Sequence, residues 1–209
     1  MLKLIQHLVV KDDGTLPETP DCLYAYILAG NGVFLNAKRT GLDVLIPVCS
    51  RMIAGLPALI PYVNVARRVP QCLLLHALKL SLDHLPDEIL FWFNAKEYWT
   101  MQVPQQLTGL SSVMPVESFD EMGTSALVDL HSHGRLPPFF SRIDNKDEQG
   151  FRIYAVIGEI DKSPCIRVRV GVYGNYFDIP ASTVFELPGG IVDVYEEAWR
   201  ENETAAEQR

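Results

Sequence analysis

Cysteine is scarce in this 209-residue chain: Cys22, Cys49, Cys72 and Cys165 stand far apart, with no Cys-x-x-Cys pair. That spacing excludes a thiolate zinc knuckle and a dithiol redox pair, and the expected state is buried, reduced thiols. Long hydrophobic runs are missing too. The longest are broken by charge or proline, and none approaches the roughly 20 residues that a membrane-spanning helix needs. Met1 to Asp12 has neither the basic start nor the small-residue cleavage site of a secretory signal, so the expected location is the cytoplasm. Basic residues are in the minority, with 18 Lys and Arg against 26 Asp and Glu and a net charge of -8. No cluster of Lys and Arg is available to neutralise phosphates, so nucleic acid is not an expected direct partner.

What is present reads as an ordinary folded protein. Hydrophobic residues make up 48% and charged residues 21%, near the average for soluble globular chains, and the length suffices for one domain with a full core. Leu23 to Leu28 and Val33 to Lys38 are β-prone runs joined by Ala29-Gly30-Asn31-Gly32, which is hairpin turn chemistry because Asn and Gly accept positive φ. Leu42 to Val48 extends that sheet, and Gly55 to Pro70, with three prolines, reads as a connector. From Gln71 to Leu85, apolar residues at Cys72, Leu75, Leu78 and Leu82 have helical spacing, and Pro70 fits a helix start.

Strands are expected at Ile89 to Phe93, Tyr98 to Val103, Ala126 to Leu130, Arg152 to Ile160 and Ile166 to Tyr173, with a loop or short helix from Arg142 to Glu148. Glu196 to Arg209 is poor in large apolar groups and reads as a tail. The mixture of strands and helix gives an α/β class with a mixed sheet.

One segment carries chemistry. His131-Ser132-His133 is followed, after seven residues, by Ser141 and, after two more, by Asp144. Histidines one residue apart at a strand end point to the same side of the sheet, and a carboxylate from the next turn supplies a third ligand. Three protein ligands leave one coordination position for water, as in catalytic zinc sites, where the ion lowers the water's pKa to about 7. A second carboxylate must move the water's proton to the leaving nitrogen, and Glu88, just after the helix, is the candidate, with Glu97 and Glu117 competing for the role. Ser141 can donate a hydrogen bond to an oxyanion or cap the following helix, or do both. Phe139 and Phe140, beside Pro137 and Pro138, are candidates for substrate contact. At this chain's residue frequencies, the four-residue pattern arises by chance on the order of once per three thousand such chains.

The set Glu88, His131, His133, Ser141 and Asp144 resembles the motif of the JAMM (MPN-plus) metallopeptidases, an upstream Glu followed by His-x-His-x7-Ser-x2-Asp. The resemblance covers roughly Val69 to Glu186, and Arg167 to Gly174 is similar to the late strand of bacterial members. Where the family usually has Gly-x-Leu-x-Gly after its Glu, this chain has the bulky Ile89 to Asn94. The resemblance implies a cytidine-deaminase-like sandwich with a mixed sheet and flanking helices over residues 69–186, an added β-rich region at 1–68 and a tail at 187–209. It further implies zinc as cofactor and, as substrate, the C-terminus of a ubiquitin-like or sulfur-carrier-like protein, which in some bacterial members is encoded in the same gene cluster. Two other functions fit the same residues: a catalytically silent interaction module of the same fold, whose usual mark is a lost ligand, and a zinc hydrolase of small amides or short peptides. Of the remaining histidines, His76 is read as a core or boundary residue and His84 as a complement to the helix dipole.

Overall fold

The computed structural model describes residues 4–19, 21–109, 113–115 and 125–195. The chain divides into two units, Met1–Ala66 and Arg67–Arg209, each with its own sheet. In the first unit, β1 (Ile5–Val9) runs parallel to β2 (Tyr24–Ala29), and β2, β3 (Gly32–Arg39), β4 (Leu42–Ser50) and β5 (Tyr62–Val65) follow as an antiparallel meander. Buried and half-buried residues alternate strictly along β2, as expected of a sheet with one face in a core. That core contains Ile27, Ala29, Phe34, Leu45 and Leu59.

The β2–β3 turn depends on Gly30, where a Cβ would sit 2.0 Å from the Leu56 carbonyl oxygen. Asn31 fixes the same junction, its side chain bonded to both the N–H and the carbonyl of Leu59. The expected connector from Gly55 to Pro70 is corrected here, because it contains β5, paired with β4 from Leu42↔Val65 to Leu45↔Tyr62. Its prolines flank the four-residue run Tyr-Val-Asn-Val rather than interrupt it, so the run keeps its N–H groups for the ladder.

The second unit begins with α1 (Gln71–Asp83), which starts after Pro70 as expected. The face that it buries is not the one the spacing suggested. Leu74, Ala77 and Ser81 are buried, whereas Leu75 and Leu82 are 44% and 39% exposed and Cys72 and His76 are exposed. The run Leu73-Leu74-Leu75 offers apolar groups to more than one face, so periodicity alone does not select the buried one. His84 caps the helix end, with Nδ1 2.9 Å from the Leu80 carbonyl oxygen.

After α1 come β6 (Leu90–Ala95), β7 (Trp99–Gln102), β8 (Gln106–Thr108), β9 (Val113–Pro115), β10 (Val128–Ser132), the short α2 (Asp144–Asp147), β11 (Arg152–Gly158), β12 (Cys165–Val172), β13 (Asn175–Ile179) and β14 (Val192–Asp193). The main sheet has the order β13-β12-β11-β10-β6-β7, with β14 added parallel to β12. Among the described residues of this sheet only β10–β11 and β12–β14 pair in parallel, so the sheet is mixed, and the unit is α/β, preceded by a β-rich region. No helix among the described residues is long and apolar enough to cross a membrane. The expected tail beyond Glu196 lies outside the described residues.

Cross-strand register sorts this sheet into two chemically different faces, because directly opposed residues point the same way. Phe91 with Leu130, Phe93 with Val128, and Ile153 in turn beside Val128 form the apolar face, where Phe93 meets Phe185 edge-on at 6.2 Å. The other face carries Trp92 opposite Asp129, Leu90 opposite His131, and Tyr154 opposite Arg169. The second face is where the candidate site is built.

Candidate metal centre

β10 places the first histidine. Asp129 and His131 alternate outward from a strand whose other residues fill the core, and the strand continues through His131 to Ser132 rather than ending before it. His133 follows at the strand end, its N–H donated to the Ile157 carbonyl of the neighbouring β11. The two Nε2 atoms lie 3.2 Å apart. Two donors about 2.05 Å from one tetrahedral ion stand about 3.3 Å apart, so this separation suits two ligands of one ion.

Local bonds set which nitrogens face inward. His133 Nδ1 lies 3.2 Å from the Pro137 carbonyl oxygen, which requires a proton on Nδ1 and leaves the Nε2 lone pair for a metal. Burial holds both rings neutral: it is the main cause that pushes His131 down to about 4 and lowers His133 as well, and Asp144 opposes it in both. Neutral imidazole is the ligating form.

Asp144 is placed by a reciprocal cap. Ser141 Oγ accepts the N–H groups of Ile143 and Asp144, both at 3.1 Å, and an Asp144 carboxylate oxygen, Oδ2, accepts the Ser141 N–H at 2.5 Å. This capping-box arrangement starts the turn that leads into α2. It turns the other carboxylate oxygen, Oδ1, toward His131, 3.8 Å from its Nε2. Ligand atoms of His131, His133 and Asp144 all lie within 4.8 Å of one another, so the cluster could hold a metal ion. Two imidazoles and one carboxylate suit zinc and other borderline divalent ions.

Glu88 arrives from the segment between α1 and β6. Ile89 N–H donates to Ser132 Oγ at 3.1 Å and Ser132 N–H to the Ile89 carbonyl at 3.0 Å, fastening this segment to the strand that bears His131. The Glu88 side is buried, at 5% exposure, and its carboxyl group is raised to about 7, first by desolvation and then by the negative charge of Asp144. Of the competing carboxylates, Glu97 is exposed in the β6–β7 turn, where its carbonyl accepts a bond from Arg67. Glu117 lies outside the described residues.

The two phenylalanines have different surroundings. Phe139 is 43% exposed and sets its ring edge-on to His133 at 4.5 Å. Phe140 is half-buried, with the Arg169 guanidinium 3.8 Å from its ring centre.

Sequence reasoning missed a set of charged groups under the site. Asp129, raised to about 6 by burial against the opposing effects of Arg152 and of the Trp92 hydrogen bond, lies on the His131 face of the sheet. Glu148 is raised to about 8, again by burial first, with Arg169 opposing. The alternation Arg167-Val168-Arg169-Val170 was the available signal, since an arginine inside a buried strand must have partners.

Gly158, at the end of β11, lets the His133 loop close onto the sheet. A Cβ there would meet the Leu136 carbonyl oxygen at 2.3 Å and the Pro138 nitrogen at 2.7 Å, both backbone atoms. Gly158→Ala is therefore expected to displace the loop whose Pro137 carbonyl orients His133, lowering stability by about 1–3 kcal/mol and weakening metal binding. Thermal melts and zinc titration check this, and an unchanged melting temperature would show that the loop has room to move.

No curated protein matches this chain. Residues 73–170, from α1 to β12 and including Glu88, His131, His133, Ser141 and Asp144, match the family described as prokaryotic homologs of the JAB domain, which supports the JAB/MPN family, with its metallo-isopeptidases and its inactive members.

Proposed function

We propose that this chain is a zinc-dependent peptidase or isopeptidase that cleaves an amide bond at the C-terminus of a ubiquitin-like or sulfur-carrier-like protein in the cytoplasm. The observation that carries the reading is the convergence of two neutral imidazoles and one carboxylate, with a second, buried carboxylate under the influence of the first and outside the ligand set. His131, His133 and Asp144 would hold a divalent ion, which would supply Lewis acidity to the scissile carbonyl and to water.

Glu88 then has the proton work. Its carboxylate would take the proton of the attacking water and pass it to the leaving nitrogen. A carboxyl group whose affinity for protons is already raised by burial suits both directions of that transfer. Ser141 has both oxygen lone pairs engaged by backbone N–H groups, which leaves its hydroxyl hydrogen to offer to the carbonyl oxygen as negative charge develops, a contribution of ~3 kcal/mol where such donors have been removed. Phe139 supplies an apolar contact beside the scissile bond, a role for which the covered ring of Phe140 is less suited.

Within the bacterial members of the family, the chain is proposed to be kin to protein A of the PRTRC system, a bacterial plasmid or mobile-element cluster that also encodes a ubiquitin-like protein. The activity is assigned to residues 69–186. The test is metal content by mass spectrometry on protein purified without chelator or polyhistidine tag, followed by cleavage of a ubiquitin-like fusion and of a peptide library. One zinc per chain and cleavage of the fusion are expected. Cleavage of short peptides alone makes the protein a small-amide hydrolase, and no metal even after zinc is offered makes it a docking module.

A further inference from the structure

Asp144 has an exposed problem of support. It sits at the start of α2, a helix of four residues, and so short a helix has no stability of its own. A metal ligand must nevertheless be held to within about 0.5 Å of its working position. The Ser141–Asp144 cap organises the turn internally but does not fix it to the sheet that carries the two histidines.

We propose that Arg169, from β12, is the positioning residue that fixes this turn to the sheet, by gripping the chain on both sides of the Ser141–Asp144 segment. On the near side its guanidinium lies on the ring of Phe140, 3.8 Å from the centre. On the far side it donates through Nη1 to the Asn145 side-chain oxygen at 2.7 Å, and through Nε and Nη2 to Glu148 Oε2. Its other flat side is covered by Tyr176 of β13, 3.9 Å to the ring centre. The Tyr176 hydroxyl in turn lies 2.8 Å from the Glu148 carbonyl oxygen and 3.0 Å from that of Asn145. Residues 140, 145 and 148 thus converge on one planar cation, and the two ligand-turn residues Ser141 and Asp144 lie between them.

Arg169 is 4% exposed, and Glu148 is half-buried. Desolvating an ion pair commonly offsets its attraction, so such a pair is a poor source of stability. What it supplies is direction: a rigid fork and two flat faces hold four partners, Asn145, Glu148, Phe140 and Tyr176, in fixed geometry, which an ammonium or an apolar side chain does not reproduce.

The inference rests on the metal-centre reading above, and the test separates the two. Wild type, Arg169→Lys and the double variant Arg169→Met/Glu148→Met are compared by zinc competition against a chromophoric chelator, by the visible absorption of the cobalt-substituted protein, and by thermal melts without metal. The double variant removes both charges together, so no charged partner is left stranded and folding should survive. The expected result is a folded double variant that binds zinc ~10- to 100-fold more weakly, with an altered cobalt spectrum. Arg169→Lys should show the same weakening, and it carries the test if the double variant fails to fold. A folded variant with wild-type zinc affinity and an unchanged cobalt spectrum overturns the positioning role. A wild type that takes up no metal overturns the metal-centre reading, and this inference with it.

Discussion

Glu88→Gln is expected to leave metal binding in place and to slow the proposed amide cleavage by about a hundredfold to ten-thousandfold, the span that general acid–base catalysis contributes. The change is nearly isosteric and sits in a buried position. It also removes a carboxyl group that burial disfavours in its charged form, so the fold should not suffer. Glutamine cannot accept the water's proton, and none of His131, His133 or Asp144 is free to replace it when all three are ligands. Metal content by mass spectrometry and cleavage rates on a ubiquitin-like fusion check the two halves separately. Wild-type turnover in Glu88→Gln would remove the residue from the mechanism and send the search for a base to Glu117 or to the substrate itself.

His131→Ala is expected to abolish metal binding and the proposed activity together. The imidazole is 6% exposed, with its Nε2 near both other ligands, and the substitution leaves two protein ligands at a site that needs three. The consequence can be read without any substrate. A ligand that binds only the folded state stabilises it by about 4 kcal/mol at a thousand times its dissociation constant, so wild-type melting temperature should climb as zinc is added. In His131→Ala it should stay flat. If both proteins gained equally from zinc, the stabilising ion would be binding somewhere other than this cluster.

The two variants divide the five motif residues by role. Loss of rate with metal retained marks a group that handles protons, and loss of both marks a ligand. Ser141 is harder to divide, since its oxygen organises the Asp144 turn and its hydrogen is the proposed donor. Ser141→Ala would remove the cap and the donor in one step.

The sequence by itself picked out the cluster of His131, His133 and Asp144 that the structure brings together. His-x-His, Ser and Asp at fixed separations are a local pattern, and local patterns survive being read in one dimension because a strand end and a capping turn are short-range structures. The hairpin at Gly30-Asn31, the start of α1 after Pro70, the strand leading up to His131 and the strand bearing Arg169 were legible for the same reason. Tertiary structure alone decided the rest. The buried face of α1 could not be read because its leucines occupy several faces, and which of them is covered depends on the sheet beneath. β5 hid among prolines, since its only strong signal is a partner strand. Glu88 was marked by its place after the helix, but its approach to the ligands depends on the Ile89–Ser132 bonds across 43 residues. Arg169, Glu148 and Tyr176 had no motif at all: they meet through strand register and packing between segments distant in sequence, which no local spacing encodes.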